Sequence, residues 1–239
     1  PGVYTLEVFD SGNNCTVTSQ VEVFQDTVSP DLDILDPDLL TCAVQEIDLD
    51  ATPSSSGPNF TYAWSTLDGD IVAGGNTTEP TVADPGTYEL LVTNTDNGCA
   101  TVQSVTVDED ITPPVAQTAV PGPLTCTDTE ITISADGTSQ GPLFTYEWST
   151  NDGQLVSPSN TFSPQVNEPG VYELLVTNIS NGCTTTTTAL VDEDVEVPQL
   201  NITGGDLLYC NNTQGTLEVV ITSGNASFAQ TWADPQGNA

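Results

Sequence analysis

The chain of 239 residues contains no Lys, Arg, His or Met, against 34 Asp and Glu, and carries a formal charge of −34. No ion pair between side chains can form anywhere in it. Nucleic acids and anionic membranes are bound through Lys and Arg, so both drop out as partners. The usual catalytic bases, His and Lys, are missing as well. Only paired Asp/Glu chemistry of the glycosidase kind would remain to an enzyme, and no carboxylate pair stands out from the repeat pattern. The chain reads as non-enzymatic. No apolar run approaches the roughly 20 residues that cross a bilayer, so no membrane insertion is expected. A basic leader followed by an apolar stretch is not seen. Opening on Pro1, the chain is expected to be a processed product or an excerpt.

What is present argues for a folded protein. A charge of this size favours disorder, yet 36% of the residues are apolar, and Trp, Tyr, Phe, Val, Ile and Leu recur in alternating runs. The acidic surface is expected to be screened by cations. Six Cys occur without a CxxC pair or a His. That favours disulfides over metal ligation, and with them an oxidising, extracellular compartment.

Repetition organises the chain. Pro1-Gly2-Val3-Tyr4 returns as Pro85-Gly86-Thr87-Tyr88 and as Pro169-Gly170-Val171-Tyr172, and 85 − 1 and 169 − 85 both give 84. Cys15, Cys99 and Cys183 keep the same step, as do Cys42, Cys126 and Cys210, and Trp64, Trp148 and Trp232. Within a repeat, short alternating segments are separated by turn signals, the pattern of a β-sandwich. Ile131, Ile133 and Ala135 alternate with Thr132 and Ser134, while Phe144, Tyr146 and Trp148 alternate with Thr145, Glu147 and Ser149. Each set is expected to face one core. Residues 171–176 read as a strand, and Asn181-Gly182 as a tight hairpin turn into a strand over 184–191. The junctions Asp26 to Pro30, Asp110 to Pro114 and Asp194 to Pro198 read as semi-rigid linkers. The expected organisation is a C-terminal half-domain at 1–28, full domains at 29–112 and 113–196, and an N-terminal half-domain at 197–239. The fold class is all-β, tandem sandwiches with an 84-residue repeat.

Asp84-Pro85-Gly86-Thr87-Tyr88 and Glu168-Pro169-Gly170-Val171-Tyr172 have the form of a tyrosine corner, in which a buried hydroxyl bonds to nearby backbone. The mid-strand Trp64 and Trp148 are expected in the core; a surface Trp stacking on sugar is the sharper alternative. Leu40-Thr41-Cys42 and Leu124-Thr125-Cys126 are each followed by Tyr-x-Trp-Ser, then Pro-Gly-x-Tyr-x-Leu-x-Val-Thr, then Asn-Gly-Cys. This set resembles the PKD-like and Ig-like repeats of giant secreted cell-surface adhesins of gliding bacteria (Bacteroidota). The resemblance covers the whole chain and carries no catalytic residue. It implies stalk or display modules at the cell surface, and it implies a pairing of Cys42 with Cys99 and of Cys126 with Cys183. Cys15 and Cys210 would then pair outside these residues or between units. The other possible pairing, Cys15 with Cys42 and Cys99 with Cys126, would bridge neighbouring repeats.

Asp108, Glu109 and Asp110, with their copies Asp192, Glu193 and Asp194, precede the linkers, where carboxylates could meet around Ca²⁺, a cation that takes six to eight oxygens; a solvated acidic strand end is the plainer reading. Sequons occur at Asn14, Asn59, Asn76, Asn178, Asn201, Asn211 and Asn225, of which Asn76 and Asn178 are the glycan candidates. Asp26-Thr27-Val28 resembles the O-glycosylation motif of the same bacteria, through Thr27. The expected function is the structural repeat region of a surface stalk, fibre or filament. Its partners would be neighbouring copies of the repeat, in a covalent array or a head-to-tail polymer. The rival reading is an adhesin module that binds glycans or surface proteins.

Overall fold

The computed structural model describes residues 1–120, 122–205, 208, 210, 214–222 and 229–233. All their regular secondary structure is β. The strands are β1 (Gly2–Asp10), β2 (Cys15–Val23), β3 (Leu40–Thr41), β4 (Ile47–Asp48), β5 (Phe60–Thr66), β6 (Ile71–Ala73), β7 (Thr81–Val82), β8 (Gly86–Asn94), β9 (Ala100–Val107) and β10 (Glu109–Asp110). They continue as β11 (Leu124–Thr125), β12 (Ile131–Thr132), β13 (Phe144–Thr150), β14 (Gln165–Val166), β15 (Gly170–Asn178), β16 (Thr184–Val191), β17 (Glu193–Asp194), β18 (Leu200–Gly204) and β19 (Leu217–Ile221). The chain divides into two compact units. Unit 1 is Pro1–Pro114 with Gly141–Phe144 and Thr177–Thr184, and unit 2 is Val115–Gln140, Thr145–Val176 and Thr185–Ala239.

In unit 1, the sheets β4-β7-β6 and β5-β8-β9 form a sandwich. Their inner faces share one core: Ile47 and Val82 from the first sheet, and Trp64, Tyr88, Leu90, Val92 and Val107 from the second. The cause is a two-residue period. Along β8, Tyr88, Leu90 and Val92 point inward, while Thr87, Glu89 and Leu91 point to solvent. Trp64 fills the core as expected, and its indole N–H donates to the Thr77 carbonyl at 3.0 Å. A third pairing is parallel, β3 against β10, with Leu40 opposite Glu109 and Thr41 opposite Asp110. It closes the edge of the sandwich and fixes where Cys42 lies. β1 and β2 make a separate antiparallel hairpin with every residue exposed.

Unit 2 repeats this plan, with β13-β15-β16 and a parallel pair of β11 with β17. Trp148 is buried, and its indole N–H donates to the Thr161 carbonyl, again at 3.0 Å. Ile133 and Ala135 are fully buried, as the alternation predicts. The strand there is shorter than the pattern suggests. β12 ends at Thr132, and Ser134 continues only as an isolated bridge to Ala119. β18 and β19 pair antiparallel, with Thr203 opposite Glu218, the positions 84 residues beyond that bridge.

Leu90 and Leu6 occupy the same position of the repeat, the first fully buried and the second 65% exposed. Leu90→Ala is expected to cost about 2–5 kcal/mol in unfolding free energy, and Leu6→Ala less than about 0.5 kcal/mol. Denaturant unfolding followed by circular dichroism reads both.

Candidate functional site at the hairpin latch

The tyrosine corners form as the sequence predicts. Tyr88 is fully buried; its hydroxyl donates to the Asp84 carbonyl at 2.6 Å and accepts from the Asp70 amide at 3.0 Å. Tyr172 does the same with the Glu168 carbonyl at 2.6 Å and the Gln154 amide at 2.9 Å. Burial pushes both phenols above their ordinary range, and the nearby carboxylates of Asp84 and Glu168 add to the shift. Gly69 and Gly153 lie so close under the rings that a Cβ at either would meet the hydroxyl at 2.3 Å. These corners are structural.

The disulfide corrects the expected pairing. Cys42 bonds to Cys183, 141 residues away, with Cα atoms 5.0 Å apart, while Cys99 and Cys126 are free thiols, as are Cys15 and Cys210. Neither the pair Cys42–Cys99 nor the pair Cys126–Cys183 forms, and the bridging alternative does not form either. The parallel edge strand gives the reason. Leu40 and Thr41 lie beside Glu109 and Asp110, at the far end of the strand run that starts after Cys99. About ten residues at about 3.3 Å each separate those ends, roughly 30 Å. A disulfide needs Cα atoms within about 7 Å. The same geometry, Leu124 beside Glu193, separates Cys126 from Cys183.

Cys183 lies instead on a hairpin tip that belongs to unit 1. The connection from β15 to β16 runs over residues 179–183, longer than the two-residue turn that Asn181-Gly182 suggests. It is closed by Asn178 N–H to the Cys183 carbonyl at 2.9 Å and by Gly182 N–H to the Asn178 carbonyl at 2.8 Å. Asn181 is its hub and is only 2% exposed. Its Oδ1 accepts from the Cys183 amide at 3.0 Å, and its Nδ2 donates to Asp110 Oδ1 at 3.1 Å and to the Thr112 carbonyl at 3.0 Å. Its own carbonyl accepts from the Ala43 amide at 3.2 Å, next to Cys42. Gly182 has φ +72°, and a Cβ there would meet the Ala43 Cβ at 2.4 Å. Left-handed backbone and close approach both require glycine at this position.

The acidic triads are not gathered into a metal centre. Among the described residues no group of three or more Cys, Asp or Glu is placed to hold an ion. Asp108 presents its backbone carbonyl to the Leu40 amide, and Asp192 does the same to Leu124. Glu109, Asp110, Glu193 and Asp194 run along short edge strands. The Asp110 carboxylate is already engaged: the Thr112 amide, and then the Asn181 side chain, hold it below the usual carboxylate range. Asp110 is thus part of the latch, a role the triad spelling alone did not suggest.

Among the glycan candidates, Thr27 and Asn76 are exposed and Asn178 is half-buried. The Asn178 Oδ1 accepts from the Ser180 amide and hydroxyl. Asn211 and Asn225 lie outside the described residues. Trp232, the third copy, is 49% exposed.

No family model and no curated protein matches the chain. Solved structures similar to it are multidomain chains, at low identity. Extracellular domains 3-5 of Drosophila OTK align with 82% of this chain and 71% of that one, at 13% identity and TM-score 0.33. Immunoglobulin domains 1-5 of Sidekick-1 align with 86% and 49%, at 14% identity and TM-score 0.35, so the chain spans about half of that structure. The three N-terminal domains of the bacteriophage RB49 outer capsid protein Hoc align with 83% and 71%, at 17% identity and TM-score 0.34. The fold class is that of tandem Ig-like β-sandwiches, seen in the chain's own sheets, parallel edge pairs and tyrosine corners.

Two pH limits follow. A phenol whose folded pKa is raised lends stability that is complete below its unfolded value of about 10 and lost as pH rises through the folded value. A carboxyl whose folded pKa is lowered lends stability present above about 3.9 and lost as pH falls through the folded value. Protection of the Thr112 amide from hydrogen exchange is therefore expected to persist slightly below pH 4 and then fall, and Asp110→Ala is expected to remove that step. Near-ultraviolet circular dichroism is expected to collapse only above about pH 10.

Proposed function

We propose that the chain is a structural repeat region of a secreted, cell-surface stalk, fibre or filament, and not an enzyme. One observation carries this reading: the side-chain bonds that anchor the frame recur 84 residues on. The Trp64 and Trp148 indoles, the Tyr88 and Tyr172 hydroxyls, and the Tyr62 and Tyr146 hydroxyls each make the same contact in both copies. The copies differ in the loop between the Trp and Tyr strands, where Ile71–Ala73 forms a strand and Leu155 only an isolated bridge, while the anchoring bonds on either side are kept. The resemblance to repeats of secreted adhesins of gliding bacteria supports the same reading, as does a disulfide, which persists in oxidising compartments.

The partner this reading implies is a further copy of the repeat. On β1, Tyr4, Leu6 and Val8 are exposed, although Tyr88, Leu90 and Val92, which hold the same positions in the next copy, make a core face. In unit 2, Leu200, Ile202, Val219, Ile221 and Trp232 line an open apolar groove of about 300 Å³. Each is one half of a sandwich's apolar interior, and the other half is the chemistry that fits it. Ca²⁺ is not needed for this reading, and glycans at Thr27 or Asn76 would decorate a stalk without altering it.

Pulling the chain from its ends distinguishes a load-bearing region. Residues between Cys42 and Cys183 are shielded while the bond holds, so reduction is expected to release roughly 480 Å of additional contour, at about 3.3–3.6 Å per residue. A glycan array probed with the same chain is expected to show no saturable binding. Saturable binding that is lost on Leu67→Ala, a fully exposed loop residue, would replace the stalk reading with the adhesin one.

A further inference from the structure

The Cys42–Cys183 bond spans 141 residues, whereas the repeat is 84 long. Its two cysteines therefore come from different repeats, the Leu-Thr-Cys turn of one and the Asn-Gly-Cys hairpin of the next. The four free cysteines occupy these same two positions, Cys126 and Cys210 in the turn, Cys15 and Cys99 in the hairpin. Applied to residues 1–239, a rule that joins turn to following hairpin allows a single pair, and it is the pair the structure contains.

The surroundings repeat along with the cysteines. Asn97 repeats at Cys99 two of the bonds that Asn181 makes at Cys183. Its Oδ1 accepts from the Cys99 amide at 2.9 Å, and its Nδ2 donates to the Val28 carbonyl at 3.0 Å. Val28 stands 84 residues before Thr112, and Asp26 Oδ1 accepts from its amide just as Asp110 Oδ1 accepts from Thr112. Gly98 has φ +74° against +72° for Gly182. Asn13 Oδ1 likewise accepts from the Cys15 amide at 2.9 Å. On the other side, Cys126 follows the same turn as Cys42: Thr125 N–H donates to the Asp128 carbonyl as Thr41 N–H does to Val44, and Leu124 N–H donates to Asp192 as Leu40 N–H does to Asp108. The backbone turns that carry Cys99 and Cys126 thus repeat those that carry Cys183 and Cys42.

We infer that Cys42–Cys183 is one rung of a covalent ladder, in which every Leu-Thr-Cys cysteine bonds the Asn-Gly-Cys cysteine of the repeat that follows it. Cys126 takes the hairpin cysteine of a repeat following 113–196, and Cys99 takes the turn cysteine of a repeat preceding 29–112. In each rung two thiols lose two protons and two electrons to a disulfide-bearing oxidant of the extracellular compartment, which leaves as a dithiol; the two sulfurs join. Successive rungs overlap, because Cys126 precedes Cys183 in the chain. Within such a ladder every backbone bond lies inside at least one disulfide-closed loop, so a single proteolytic cut does not part the array. The inference concerns pairing alone and stands whether the repeats form a stalk or display a ligand site.

The test lengthens the chain by one repeat, a copy of residues 113–196 inserted in register after Glu196, made in an oxidising compartment. This chain has eight cysteines, two more than the six of the original. Denaturation without reductant in excess maleimide, followed by intact mass, counts the thiols. The ladder gives four adducts, with the Glu-C peptides of Cys42 and Cys126 each joined to a peptide 174–193 or its identical copy, and the peptide of Cys99 carrying maleimide. Cys126→Ser in this chain is expected to raise the count to five and leave Cys42–Cys183 intact. Six adducts, with Cys126 still a thiol, would overturn the inference. So would two adducts, with each turn cysteine bonded to the hairpin of its own repeat. Neither result bears on glycan binding or on extension under load, so a failed ladder and a failed stalk reading are told apart.

Discussion

Cohesion without a single cationic side chain is the condition on which the rest of this structure depends. A carboxylate that cannot meet a Lys or Arg must be hydrated or must accept from neutral donors, and the chain uses the second option at its turns. Asp68 Oδ1 accepts from the Thr87 amide and Asp152 Oδ1 from the Val171 amide, in each case tying a loop to the start of the tyrosine-corner strand. Asp50 accepts from the Thr52 hydroxyl and amide, which lowers its pKa. Asp110 binds the Thr112 amide and the Asn181 side chain. The acidic residues seen here are therefore partly turn and latch acceptors as well as surface charge. Among the described side chains no buried polar atom lacks a partner.

Much of the frame is legible in the sequence because it follows from local chemistry. A two-residue apolar period can bury only one face of a strand, so Tyr88, Leu90 and Val92 could be assigned inward from their spelling. The Pro-Gly-x-Tyr segment carries its own acceptor, since the carbonyl that Tyr88 bonds lies four residues upstream at Asp84. Trp64 and Trp148 could be assigned in the same way. Burial of a given copy is less legible. Leu6 and Leu90 share one pattern, yet only Leu90 has a facing sheet within the chain. The sequence encodes a face; a partner decides whether it is covered.

The disulfide was not legible, for a different reason. The family resemblance suggests that hairpin and turn cysteines of one repeat meet, and nothing in the spacing of 57 residues contradicts it. What decides the matter is the parallel register of Leu40 with Glu109, a pairing of two residues on each side. So short a strand leaves no periodic signal. It puts Cys42 beside Asp110, at the opposite end of the edge strand from Cys99. A partial signal did exist: the Asn two residues before each hairpin cysteine recurs at 13, 97 and 181, and a buried Asn needs several partners at once. Asn181 finds them on Asp110, Thr112 and Ala43.

The position of the bond also suits the charge. Within one small sandwich a disulfide closing 57 residues would contribute about 4 kcal/mol by loop entropy, and one closing 141 residues about 5 kcal/mol, nearly the same. Stability of a single sandwich therefore gives little reason to prefer the long loop. Its distinct effect is to hold residues of successive repeats together in a chain whose like charges repel. Hydrogen bonds at the latch each contribute about 1 kcal/mol net. Screening by salt reaches only about 8 Å at physiological strength, so the repulsion varies with the medium. Strengthening the junction with ion pairs is closed to a chain without Lys or Arg. A covalent bond across the junction is weakened neither by ionic strength nor by pH below the thiol range, and Asn181, Gly182 and Asp110 are the residues that bring its two sulfurs within reach.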